Sequence, residues 1–201
     1  MIIVLFAVVL SGTAGQLCAA EKKSNADILH QVCQEAVASS ISEARIPDTS
    51  TIVLMIEDGE INRFFAQTLT ESFRQRFPSL FTRRTASGIE ISVSVGGVSV
   101  VYGQSFSDGF LSARRSERRI DVGLRMTAMR FEDGKILWAK SKGASFVDTV
   151  YVEDIPDLQV SSERIAKGVM PQRSAMEKFI EPFIIVGAAG VAVYLFFTIR
   201  S

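Results

Sequence analysis

The sequence predicts an α/β (α+β) domain: a mixed or mostly antiparallel sheet of about five to six strands, packed by two N-terminal amphipathic helices and followed by a C-terminal transmembrane helix. Three observations carry this. Apolar residues recur at spacings of three and four over 27–44 and 60–77; from Leu80 to Val152 the period changes to two; and Phe183 to Ile199, FIIVGAAGVAVYLFFTI, holds no charge.

The start, MIIVLFAVVLSGTAGQLCAA, has an apolar run followed by small residues, as in a signal peptide, so residues 1–20 are expected to be removed after Ala14 or after Ala20. The run is too short to span a bilayer. Cys18 raises lipidation as an alternative, but Leu17 stands before it where lipoprotein signals carry a small residue. With Cys18 gone, Cys33 has no intramolecular disulfide partner and reads as a small buried apolar residue or an intermolecular bridge.

Residues 21–153 are expected to form the extracytoplasmic domain. Ile28, Leu29, Val32, Cys33, Ala36, Val37, Ile41 and Ala44 define one helical face over 27–44, with Asn25 as the expected N-cap. The lone histidine, His30, lies beside that face and is assigned to packing or solvent. Ile46-Pro47-Asp48 breaks the helix, and Thr51–Ile56 reads as a central strand covered on both faces. Asp58-Gly59 is expected to cap a second helix, whose stripe is Ile61, Phe64, Phe65, Leu69, Phe73 and Phe77.

Leu80–Arg84 is expected to be a short strand. Ile89, Ile91, Val93 and Val95 alternate with polar residues, and Gly96-Gly97 permits a bend or bulge before Val98–Tyr102. Gly103–Leu111 reads as a mobile loop. A second alternation, Ile120, Val122, Leu124, Met126 and Ala128, turns at Glu132-Asp133-Gly134-Lys135 into Ile136–Ala139, and a last extended piece covers Ala144–Val152. Residues 154–178 lack periodicity and read as a flexible tether, leaving 179–201 as the membrane anchor. Its seventeen or so apolar residues reach roughly 26 Å, close to a hydrocarbon core of about 30 Å. Phe183, Gly187, Gly190, Tyr194 and Phe197 mark this anchor. Arg200 beyond it agrees with a cytoplasmic C-terminus.

With 22 Lys+Arg against 22 Asp+Glu, overall charge offers nucleic acid no attraction. Charge is uneven only locally, at Arg83-Arg84 and at Arg114, Arg115, Arg118 and Arg119. These six arginines are the candidate partner-binding residues. They read as an anion-binding surface, as a docking patch for an acidic protein, lipid headgroups or glycan, or as solvated residues that discourage edge pairing. No Gly-x-Ser-x-Gly elbow occurs, and one histidine would have to serve any catalytic pair. Paired carboxylates sit where strands turn. No catalytic residue, metal ligand or cofactor is expected.

The order helix, TIVLMIEDGEINRFFAQTLTESFRQRF, alternating strand ending VVYG, then RRIDVGLRMTAMRFEDGKILWAKSKGASFVDTV resembles a bacterial envelope domain. That domain occurs in the curli secretion channel subunit, in the N-terminal part of TolB and in lipoprotein activators of penicillin-binding proteins. The resemblance covers roughly Thr51 to Val150 and implies a non-enzymatic periplasmic module that docks other envelope proteins. Two departures stand out: the anchor is C-terminal, and no insertion supplies the hairpins of a channel. The expectation is a single-pass inner-membrane protein whose partners are the membrane and other envelope proteins. Self-association through small residues of the anchor, and a small-ligand site or enzyme at Gly103–Leu111, are the alternatives.

Overall fold

A computed structural model describes residues 22–81, 88–107, 112–161, 163–169 and 175–199; in the last segment side chains are described at 183 and 185–198. Residues 1–20, including Cys18, as well as Arg83, Arg84 and Arg200, lie outside the described residues.

The first helix, α1 (Asn25–Ala44), is capped by Ser24 rather than by the expected Asn25. The Ser24 hydroxyl accepts from Asp27 N–H and the Asp27 carboxylate accepts from Ser24 N–H, each at 3.2 Å. This is a reciprocal capping box built with an aspartate. Asn25 therefore falls one position inside the helix and is buried, free for another task. The predicted face holds: Ile28, Leu29, Val32, Cys33, Ala36, Val37 and Ile41 are buried, together with Ser40, whose hydroxyl donates to Ala36 O. Arg45 ends the helix in the left-handed region at φ 51°.

Strand β1 (Ile52–Ile56) leads through Gly59 into α2 (Glu60–Arg76). Gly59 itself occupies the cap position, at φ 150°, and no side chain caps the helix, so Asp58 does not take the role expected of it. Phe65, Leu69, Phe73 and Phe77 are buried, while Ile61 and Phe64 lie at the margin of the stripe. Three further strands follow the two-residue β2 (Leu80–Phe81): β3 (Ile89–Tyr102), β4 (Arg115–Arg130) and β5 (Ile136–Tyr151).

The five strands form one mixed sheet in the order β2-β1-β3-β4-β5. β1 runs parallel to both neighbours, and β3-β4-β5 is an antiparallel meander. β1 is thus next to the edge strand β2 instead of at the centre; its first three residues are buried, but Met55 is exposed. Strands expected as separate pieces are continuous: β3 passes through Gly96-Gly97 by a register shift, and β5 includes both 136–139 and 144–151. At that shift Gly97 pairs with Gly123, which pairs with Gly143, leaving a line without side chains across three strands.

Period-two geometry sends one face of the meander toward the helices. On β4 the buried residues are Ser116, Arg118, Ile120, Val122, Leu124, Met126 and Ala128, and the intervening positions face outward. Val95 N–H lies beyond the last residue paired with β1 and is taken by the side chain of Asn62 on α2, at 2.7 Å. This helical amide satisfies a donor the sheet leaves open. The edge strand β5 points Lys140 and Lys142 inward, where both ammonium groups meet Glu43 near the end of α1. Inward charge on an edge opposes addition of a further strand.

Of the expected tether, residues 162 and 170–174 lie outside the described residues, whereas 154–161 and 163–169 are not free. They contain a helical turn, α3 (Ile155–Leu158), and bury Ile155, Leu158 and Ala166 against the domain. Isolated apolar residues in short turns have no period to read, which is why pattern analysis leaves this segment structureless. Val169 pairs with Val101 in parallel, filling the side of β3 that β1 vacates. The last helix, α4 (Ala175–Ile199), begins four residues ahead of the expected anchor. Its described side chains are exposed, among them Phe183, Ile185, Val191, Tyr194 and Phe197. Among the described residues, no helix is long and apolar enough to cross a membrane.

Two measurements check this architecture. A Cβ on Gly168 would lie 2.6 Å from the Tyr102 ring and 2.9 Å from Val100, so Gly168→Ala is expected to cost about 1–3 kcal/mol and lower the melting temperature; an unchanged value would mean that this segment is not packed on β3. Hydrogen bonds from Lys140 and Lys142 hold the Glu43 carboxyl at about 2 against an ordinary 4.5. A depressed carboxyl contributes stability above its unfolded pKa and loses it as pH falls toward the folded one. The difference in melting temperature between the native protein and Glu43→Gln should therefore shrink between pH 4.5 and about 2, and because Glu43 is exposed it should also shrink with salt.

Candidate functional site

The polar groups of the fold converge where β3 ends, β4 begins and β5 ends. The inward phase of β4 that places Ile120 and Val122 in the core also places Arg118 there, only 2% exposed. A guanidinium cannot lose its proton to escape burial, so it must be matched by fixed acceptors. Asp148, its cross-strand partner on β5, accepts from Nε at 2.9 Å and from Nη2 at 2.6 Å in a two-pronged pair. Nη1 donates to Asn25 Oδ1 at 3.0 Å and to the Lys23 carbonyl at 3.2 Å.

Asn25 extends the network. Its Oδ1 also accepts from the Tyr102 hydroxyl at 3.1 Å, and its Nδ2 donates to the Ala166 carbonyl at 2.8 Å. One buried cluster thus joins α1, β3, β4, β5 and the C-terminal segment. The Tyr102 hydroxyl is satisfied as a buried phenol requires. Beside the cluster, a cleft of about 390 Å³ is lined by Ile28, Phe146, Val150 and Leu158, with the Lys22–Asp154 ion pair of 2.7 Å among its lining residues.

The expected arginine patch is divided by this geometry. Arg118 belongs to the interior and is withdrawn from any docking surface. Arg114 is partly buried, and its carbonyl accepts from Val152 N–H at 3.0 Å. Arg115 and Arg119 face outward and are exposed. The Arg115 guanidinium lies 5.4 Å from the centre of the Tyr151 ring, within the range of a cation–π contact. Arg119 stands in register between Val101 and Val147, each 49% exposed, which makes a charge rimmed by aliphatic side chains. Phe106 is fixed beside them by two backbone hydrogen bonds of 2.8 Å with Arg115, so the start of the 103–111 loop is pinned, while 108–111 lie outside the described residues.

Residue-type reasoning missed Asn25, Tyr102 and Asp148 as partners. The signal for Arg118 was present: counting back by twos from Ile120 puts it on the apolar face. Among the described residues, His30 and Cys33 both lie in packed surroundings. His30 Nδ1 lies 2.7 Å from Thr68 Oγ1 and its ring stacks on Phe64 at 4.6 Å, and burial lowers its pKa. Burial pushes the Cys33 thiol up to about 12, far from a ready thiolate. Gly187 and Gly190 of α4 have open space where a Cβ would stand.

The pair should respond asymmetrically to truncation. Asp148→Ala leaves the Arg118 charge buried, with its side chain 3% exposed, and should cost about 3–5 kcal/mol in urea unfolding. Arg118→Met leaves a carboxylate that is 30% exposed and can take water, so its loss should be smaller. Equal losses, or no loss from Asp148→Ala, would remove the network from its structural role. No protein-family model matches the chain, and no curated protein matches it at a significant level.

Proposed function

We propose that this chain is a single-pass, membrane-anchored module of the cell envelope, with its α/β domain outside the cytoplasm, acting without catalysis by docking other envelope proteins. One observation carries the reading: the domain has a packed core, yet the described apolar side chains of α4, Phe183 and those from Ile185 to Phe197, are exposed. Apolar surface on that scale calls for a lipid or protein environment. The uncharged run Phe183–Ile199 falls short of a full span by itself, so the reading requires flanking residues to snorkel or the bilayer to thin around it. An apolar leader at the other end favours export, and the resemblance to the envelope domains agrees with both.

The docking surface in this reading is the outward face around Arg119, Val101 and Val147, not the full set of arginines. A charged group within an apolar rim gives orientation through the charge and binding energy through the rim. His30 lies against Thr68 and Phe64, and Cys33 is buried.

The reading is tested in two stages. The full chain should stay with membranes through alkaline extraction, and a reporter fused after Ser201 should be cytoplasmic while the domain is protected from cytoplasmic protease; release from the membrane, or the reverse topology, refutes it. A photocrosslinker at Val147 should then trap a partner, and Arg119→Glu should abolish the adduct. An adduct of twice the chain's mass identifies self-association instead, and no adduct anywhere on this face removes the docking role.

A further inference from the structure

The packed C-terminal segment limits how the domain can stand beside a membrane. The chain is fixed to the sheet as far as Val169, which pairs with Val101, and α4 starts at Ala175. The intervening residues reach at most about 20 Å. From Ala175 to Phe183 the helix adds roughly 12 Å, part of which lies in a headgroup layer about 5–7 Å deep. The attachment point therefore stays within about 30 Å of the hydrocarbon edge. The sheet is longer than that: sixteen residues of β4 extend roughly 50 Å toward the Glu132–Gly134 turn. From Arg119, level with the attachment point, eleven residues of β4 run to Arg130, roughly 36 Å. Standing on the far end would need the connection fully stretched, whereas the near end reaches the surface without strain.

The near end carries exposed apolar side chains. Phe106 pairs with Arg115, Arg115 pairs with Tyr151, and Val160 follows Gln159, whose side chain donates to the Gly168 carbonyl beside Val169. Phe106 and Tyr151 are 45% and 42% exposed, and Val160 and Val169 are 78% and 77% exposed. Charges of both signs stand close to them along the chain and its strand pairings, among them Arg115 and Lys167 against Glu153 and Asp157. A mixed rim gives no net preference for anionic lipid, whereas aromatic and aliphatic side chains gain by entering the headgroup boundary.

Resting on the anchor reading above, we propose that the end of the domain bearing Phe106, Tyr151, Val160 and Val169 sits in the interfacial zone of the bilayer, holding the sheet upright with the Arg119 face turned sideways to receive a partner. The contact is apolar and does not require anionic headgroups.

The full chain, with Cys18→Ser to leave only the buried Cys33, is placed in phosphatidylcholine nanodiscs. It carries one fluorophore at Val160→Cys or, as control, at Asp133→Cys in the distal turn. With a nitroxide on the lipid headgroup, the label at 160 should lose severalfold more fluorescence than the label at 133. Adding Phe106→Ser and Tyr151→Ser should reduce that loss while the chain stays in the disc. Equal quenching at both sites in chains that do incorporate would overturn the interfacial contact and leave the anchor intact. Failure to incorporate would overturn the anchor, and this inference with it. Quenching that appears only when phosphatidylglycerol is added would overturn the apolar mode of contact.

Discussion

A buried guanidinium governs this fold. Arg118 sits in the phase of β4 that the core demands, and every atom that satisfies it comes from somewhere else in the chain: Asp148 from β5, Asn25 and the Lys23 carbonyl from the start of α1. Tyr102 and Ala166 are bound at one remove through Asn25. Hydrophobic burial can hold helices against a sheet in several registers, because it has no direction. A two-pronged ion pair with a shared amide has direction, so it selects the register in which the N-terminus of α1, the end of the meander and the C-terminal segment meet. The sheet below it supplies area; the network supplies position.

Most of the framework was legible because periodicity is a strong signal in long elements. The face of α1, the phenylalanine stripe of α2 and the inward set Ile120, Val122, Leu124, Met126 and Ala128 all follow from spacing alone. The failures have separate physical causes. Asn25 has the composition of a cap, but Ser24 stands one residue earlier with Asp27 at the right distance to reciprocate, and the competition between two good caps was decided by which one could be buried usefully. Arg118 was grouped with its neighbours by charge, although parity along a strand outranks charge in deciding which way a side chain points. Residues 152–169 bury only a few apolar side chains in turns of three or four residues, too short for a pattern to show.

That last difference changes the mechanical meaning of the C-terminus. A flexible tether of some twenty residues would let a domain explore the space around its anchor freely. Packing the described residues as far as Val169 removes part of that freedom, and Phe106, Tyr151, Val160 and Val169 are exposed at the end where this segment is held. Arg115 and Arg119, four residues apart on one face, come to differ in role: one lies against Tyr151 near the exit of the chain, and the other lies among aliphatic side chains on the flank.

The glycine line Gly97-Gly123-Gly143 divides the sheet in another sense. On one side of it β3 is flanked by β1 and roofed by α2; on the other it is flanked by Val169 and tied by the Arg118 network. Three strands crossing one level without a Cβ leave curvature there to the backbone and the adjoining bulge, with no side-chain ladder to resist it. A bend at this level would meet no side-chain ladder, so the two halves of the sheet, one roofed by α2 and one tied by the Arg118 network, are free to accept substitutions independently.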